Sequence, residues 1–354
     1  MSREAPVAGK PAAAGSHASI DDALLSTREH SFFGGLAAAQ SLWVTVALIA
    51  ICIVMSYLQP QSFATAENVF NTTRNFSFIG IMALGMVAVI ATGGIDLSVG
   101  SIMGLVAVVS GLVLMNGHSW WLAILAGLGA GGVVGLINGL LVAYVGLSSF
   151  VVTLGMLSVA RSVAVVLSGN RMIYNFGPGG PIFKKFGNGF VEFGHGEGAL
   201  QLSYPLLMLV VLTIVFAVVL KMTAWGRYIL AIGGNEQAAL LTGVPVKRVK
   251  VQCYVVSGLA AALAGVLSVG WTGSAINALG TGYELLAISA AVIGGANLMG
   301  GEGSAYGAFI GAALIFVIRN SLTMAGVDSN WQGTFVGVFL VAAVYLGKIR
   351  AKRG

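Results

Sequence analysis

Charge is what this chain of 354 residues has least of: 8% are Asp, Glu, Lys or Arg, against 57% hydrophobic. Soluble domains carry roughly 25% charged residues, so a soluble globular class is excluded. Cysteine is scarce too. Cys52 and Cys253 both lie in apolar runs, with neither metal-ligand spacing nor the density of a disulfide framework. The four histidines, His17, His30, His118 and His195, fall in no zinc pattern, and no metal site is expected. No G-x-x-x-x-G-K-[ST] stretch occurs, so nucleotide hydrolysis is not expected of this chain. Paired carboxylates and Ser/His arrangements are missing from the apolar runs, which argues against an intramembrane enzyme.

Long apolar runs take their place, at a mean hydropathy of +0.92. They recur near 43–58, 76–92, 98–115, 121–145, 149–168, 204–221, 251–271, 284–299, 305–322 and 331–347. A membrane helix needs ~20 apolar residues, and strand-like alternation does not recur. The reading is an all-α integral membrane protein of about ten transmembrane helices, some broken or re-entrant. The 51 glycines suit close helix packing. An even number of spans puts both ends on one side. Lys and Arg cluster at Arg3, Lys10 and Arg28, at Lys221, Arg227, Lys247, Arg248 and Lys250, and at Lys348, Arg350, Lys352 and Arg353. The alternate loops carry Arg74, Arg171, Lys184 and Lys185. Positive charge stays inside, so both termini and the loop 222–250 are expected in the cytoplasm and the loop 169–203 outside. Residues 1–40 read as a disordered cytoplasmic tail without a cleavable leader, and 41–350 as the membrane domain.

From Phe76 to Met115 the single charge is Asp96, within Gly93-Gly94-Ile95-Asp96-Leu97-Ser98-Val99-Gly100-Ser101. Glycines free the backbone for a sharp break, and Asp96 and Ser98 can satisfy the amides it exposes. Irregular backbone at membrane depth persists only inside protein or along a water-filled path. A weak echo lies at an offset of 201: Gly294-Gly295-Ala296-Asn297-Leu298. Glycine-interrupted segments in corresponding halves point to a transport site, and an internal duplication is an open reading beside chance. Asp96 has two open roles: capping the following span, or accepting hydrogen bonds from a solute. Glu284 at a span start suits the helix dipole, or equally an outer gate. Arg161, alone in its span, has Asp96 and Glu284 as candidate partners. Asn138 reads as an interhelical hydrogen bond.

In the loop 222–250, Asn235 can cap a short helix starting at Glu236, with Gly243 ending it and Pro245 preventing continuation. Ala238, Ala239, Leu240 and Leu241 make it apolar although it lies outside the bilayer. Docking into a groove on another protein and lying on the lipid surface are the two readings.

The stretch at 93–101, Trp225-Gly226-Arg227-Tyr228 with Gly233-Gly234-Asn235-Glu236 and Leu241-Thr242-Gly243-Val244-Pro245-Val246, and Gly280-Thr281-Gly282-Tyr283-Glu284-Leu285 together resemble the permease subunits of ribose-type ABC sugar importers. The resemblance covers residues 40–350. It implies a bacterial inner-membrane protein, normally a dimer, that conducts a monosaccharide or polyol delivered by a periplasmic binding protein. It implies that ATP and Mg are bound by a separate ATPase. The helix at 235–243 would then be the coupling helix that enters the ATPase groove. Outside that resemblance, a self-contained channel or secondary transporter with two broken-helix halves is the alternative.

Overall fold

The computed structural model describes residues 40–194, 200–328, 330–335, 337–338 and 341. The tail expected over 1–40 lies almost wholly outside the described residues. So does most of the tenth span, whose described part, 330–335, 337–338 and 341, is helical.

Before that last helical stretch, twelve α-helices follow one another among the described residues: α1 (Gln40–Leu58), α2 (Ala66–Ala91), α3 (Val99–Met115), α4 (Trp120–Ala143), α5 (Ser149–Ser168), α6 (Gly180–Asn188), α7 (Tyr204–Met222), α8 (Ala224–Gly234), α9 (Glu236–Leu241), α10 (Val246–Thr272), α11 (Tyr283–Ile293) and α12 (Ala305–Met324). Seven of them, α1, α2, α4, α5, α7, α10 and α12, are long and apolar enough to cross a membrane, and α3 and α11 are shorter apolar helices. This is a multi-pass membrane protein.

At the centre stand α2 and α10. The membrane window of α2 is 94% buried and that of α10 72%, against 11% for α1. Both are rich in Gly, Ala and Ser, so neighbouring backbones come close. At the α4–α10 crossing a Cβ on Gly258 would collide with the Gly131 carbonyl and lie 3.1 Å from Gly135 Cα. Lipid offers no hydrophobic drive between helices, and such close van der Waals packing replaces it.

Three differences from the sequence reading have physical causes. First, α2 starts ten residues before the apolar run, at Ala66, behind a Thr65 cap that accepts from the Asn68 amide. Arg74 therefore sits on a helix rather than in a loop. It donates to Asn71 Oδ1 at 2.7 Å and lies over the Trp271 ring at 4.5 Å. Second, the described residues of 169–203 are structured. After a 3-10 turn, α6 buries Phe183 against α10, and an antiparallel hairpin, β1 (Phe190–Phe193) with β2 (Leu200–Ser203), follows in the register Phe190↔Ser203. Third, α8 is an amphipathic helix in what read as open loop, burying Ile229 and Ile232.

The glycine packing is testable. Gly258→Val should force α4 and α10 apart, costing about 1–3 kcal/mol or more, and should sharply reduce monodisperse protein in detergent. Gly129→Val, where an added Cβ meets nothing within 4 Å, should leave the yield unchanged. Equal yields of the two variants would contradict this packing.

Candidate translocation and coupling site

Four segments meet at one end of the bundle: the break 92–98, the α4–α5 turn, the α8–α9 region and the loop 294–304. Between them lies a cavity of about 650 Å³, lined among others by Gly93, Gly94, Ser149, Asn235, Glu236, Leu240, Tyr254 and Met299.

The break is built from satisfied backbone. After α2 ends, Gly93 turns with φ +80° and its amide returns to the Ile90 carbonyl at 2.8 Å. The Ile95 amide donates to Ser149 Oγ at 3.3 Å, and the Ile95 carbonyl accepts from Thr153 Oγ1 at 3.3 Å and Tyr254 Oη at 3.5 Å. Asp96 is fully buried. Its Oδ1 accepts from the Ser98 amide at 3.0 Å and Ser98 Oγ at 2.6 Å, and its Oδ2 from Ser257 Oγ on α10 at 2.8 Å. Asn138 Nδ2 on α4 donates to Ser98 Oγ at 2.9 Å, the interhelical bond expected of it. One short network thus joins the break to α4 and α10. Ser98 departs from its expected part. At φ −85°, ψ −11° it is already helical and makes no side-chain cap to α3; its hydroxyl turns back onto Asp96. Gly93 and Gly94 line the cavity, whereas Asp96, Ser98 and Gly100 do not.

The position of Asn297 echoes that of Asp96. Asn297 Oδ1 accepts from the Met299 amide at 3.0 Å, the same i+2 turn that Asp96 makes with Ser98. Asn297 is exposed where Asp96 is buried, so the local geometry repeats and the surroundings do not.

Of the two candidate carboxylate partners of Arg161, Glu284 is the one near enough to act on it electrostatically, beside the same Gly100, though without direct contact: the ion pair among the described residues joins Lys250 and Glu236. The Arg161 guanidinium donates instead to three carbonyls, those of Asn277, Leu279 (3.0 Å) and Gly100 (3.3 Å). The reason lies in the path of residues 275–284. Ala275 packs at Gly111 of α3, Asn277 and Leu279 at Gly104, and Gly280 and Glu284 at Gly100. The segment descends along α3 for roughly 16 Å at 1.5 Å per residue before becoming helical. This shortens α11 to 11 residues, and the span expected at 284–299 is a half-span ending at Ile293. Non-helical backbone that deep needs donors, and Arg161 supplies them where a carboxylate would have none to give. Asn277 Nδ2 adds bonds to Ser168 Oγ and Asn170 Oδ1, each 3.1 Å. Glu284 is half-buried in the first turn of α11, its carboxylate against Gly100. Any side chain at Gly100 would displace it.

The short helix α9 lies at the surface of the bundle. Asn235 Oδ1 caps it through the Ala238 amide at 3.0 Å, and Gly243, at φ +85°, ends it. It spans six residues, shorter than the expected 235–243 helix. Leu240 and Leu241 are 57% and 88% exposed, while Ala239 is 4% exposed and faces the protein's own core, not the outward face expected of it. Lys250 holds Glu236 at 2.7 Å across the base of α9. Tyr254, Ser149 and Thr153 were missed from sequence. A hydroxyl in an apolar helix is the one trace they leave, and many such hydroxyls only bond their own helix.

Two outcomes are expected. Asp96→Ala leaves the Ser98 amide, the Ser98 hydroxyl and the Ser257 hydroxyl short of an acceptor, at about 1–3 kcal/mol per stranded group, and should depress the thermal midpoint well beyond Ser257→Ala. Arg161→Ala should raise thiol labelling of an Ala275→Cys reporter, at a position that is fully buried, more than tenfold, and Arg161→Lys should restore much of the protection. Unchanged labelling would mean that Arg161 does not hold the segment.

Residues 68–344 match the family described as branched-chain amino acid transport system / permease component. The chain is 37% identical to the ribose import permease protein of Bacillus subtilis, covering 87% of this chain and 93% of that protein. It is 34% identical to the fructose import permease protein of Rhizobium meliloti, covering 92% and 88%. With the galactose/methyl galactoside import permease protein of Escherichia coli the identity is 35%, covering 87% and 94%. No solved structure gives a significant match. With the family match spanning most of its length and these relatives aligned nearly end to end, the chain belongs to this family of transport-system permease components.

Proposed function

We propose that this chain is the membrane conduit of an ATP-driven importer for a monosaccharide or related polyol. A periplasmic binding protein delivers the solute, and a separate ATPase that binds ATP and Mg drives the cycle. The chain itself is not an enzyme. The observation that carries the reading is α9: a capped six-residue helix with Leu240 and Leu241 turned out of the bundle, at the lip of a cavity bounded by the glycine break. Apolar side chains projected beyond the bundle gain by entering a groove on a partner. Both termini, α9 and the cavity lie on the cytoplasmic face in this reading, in keeping with Lys247, Arg248 and Lys250. The relatives named for ribose, fructose and galactose align over most of their length, and this favours a sugar over the branched-chain amino acids of the family description.

A homodimer fits a second feature. Arg161, Asn277, Glu284 and the exposed Thr281 form a partly exposed polar strip beside α3 and α11. Such groups at membrane depth line water or protein rather than lipid. A second copy across this strip would enclose a polar path with the re-entrant segments as its walls. The repeated turns at Asp96 and Asn297 favour the alternative of a self-contained channel or secondary transporter, but that reading gives α9 no task.

Proteoliposomes separate the readings. With the ATPase, binding protein and ATP, a monosaccharide should accumulate uphill; the chain alone should accumulate nothing. Uphill uptake by the chain alone would overturn the conduit reading, and leucine uptake in place of sugar would overturn the substrate class. Leu241→Asp should weaken ATPase association at least tenfold, since burying a leucine is worth about 1.5–3 kcal/mol, with membrane insertion intact. Full ATPase retention in pull-downs would argue against the role of α9.

A further inference from the structure

We propose that the loop 294–304 forms a second contact with the ATPase, through Leu298 and Met299, so that the motor grips this chain at two places. The inference rests on the coupling role of α9 and adds to it.

At the tip of this loop Leu298 is 40% exposed and Met299 85%. Two adjacent apolar side chains project at the same end of the bundle as Leu240 and Leu241. The tip is held in shape. Asn297 Oδ1 accepts from the Met299 amide at 3.0 Å, the Gly300 amide returns to the Asn297 carbonyl at 2.8 Å, and the Asn297 amide reaches the Glu302 carbonyl at 3.3 Å. Gly300 and Gly301, at φ +91° and +83°, make the reversal that a residue with a Cβ rarely adopts. A loop fixed this firmly presents Met299 at little ordering cost, as a docking anchor requires. Methionine suits a surface that must fit a moving partner.

Continuity with α9 identifies the occupant. Met299 and Leu240 line the same cavity. The loop also packs directly on the residues that lead into α9: a Cβ on Gly300 would stand 2.7 Å from Gly233 Cα, and one on Gly233 would collide with the Gly301 amide and the Ala91 carbonyl. The Gly301 amide donates to that Ala91 carbonyl at 3.0 Å, at the end of α2. A body large enough to clasp α9 therefore meets Met299 next. Its push on Met299 would reach the end of α2, and so the break at Gly93, without passing through α9.

The test is cross-linking in the assembled transporter, in a Cys52→Ser background, with a bifunctional thiol–amine reagent. Met299→Cys and Leu241→Cys are each expected to join the ATPase, and Met172→Cys at the opposite end is expected not to. Capture by Leu241→Cys with none by Met299→Cys would overturn the second contact and leave the coupling role of α9 standing. Capture by neither would overturn both. Alongside, Met299→Asp should cut ATP-driven uptake roughly tenfold, about the loss of one 1.4 kcal/mol anchor, while Met299→Leu retains it. Undiminished uptake by Met299→Asp would overturn the proposal.

Discussion

Backbone at membrane depth has no water to bond with, and the polar side chains gathered at the two irregular segments of this protein answer that constraint. Where α2 gives way to α3, the chain leaves helical geometry before Ser98, and Ser149, Thr153, Tyr254 and Asp96 take up freed amide and carbonyl groups. Where residues 275–282 descend along α3, Arg161 takes up the carbonyls of Asn277 and Leu279. Asp96 in turn is held by Ser257 and tied to Asn138 through Ser98, from two other helices. An isolated carboxylate is costly in hydrocarbon. Here it is surrounded by donors, and the break it organises is welded to α4 and α10.

Glycine solves the complementary problem of approach. Gly100 lets the Gly280 carbonyl and the Glu284 carboxylate lie against α3, and Gly233 lets the end of α8 touch both the end of α2 and the loop at 300–301. The second contact ties the proposed coupling element to the rest of the protein. Three backbones cross there with no side chain between them, so a displacement of α9 has little compliant material to dissipate in. Rigid elements that meet backbone to backbone are the physical requirement for carrying a movement from a partner into the bundle.

Several of these features were legible in the residues. The break at 93–101, the Asn235 cap and the Gly243 stop are local signals, because caps and turns are set by side chains within three residues of the backbone they serve. Helix bounds for α5 and α7 followed from apolar length. Less accessible was the re-entrant course of 275–284. In sequence it reads as a short loop before a full span, and the guanidinium that holds it comes from more than a hundred residues away. Arg161 shows the same limit: the sequence offers two carboxylates, and the fold sets it near Glu284 while giving its hydrogen bonds to carbonyls.

By itself the sequence determined the class, most of the long helices and the local turns. Hydropathy, glycine and capping act over one or two turns of chain. Only the tertiary structure decided which polar groups meet: that Asp96 is enclosed while Asn297, with the same local turn, is exposed; that Ala239 faces inward and Leu241 outward; that Arg161 holds up a strand of bare backbone. Those outcomes depend on which surfaces pack together, and packing joins residues whose separation along the chain carries no trace of their contact.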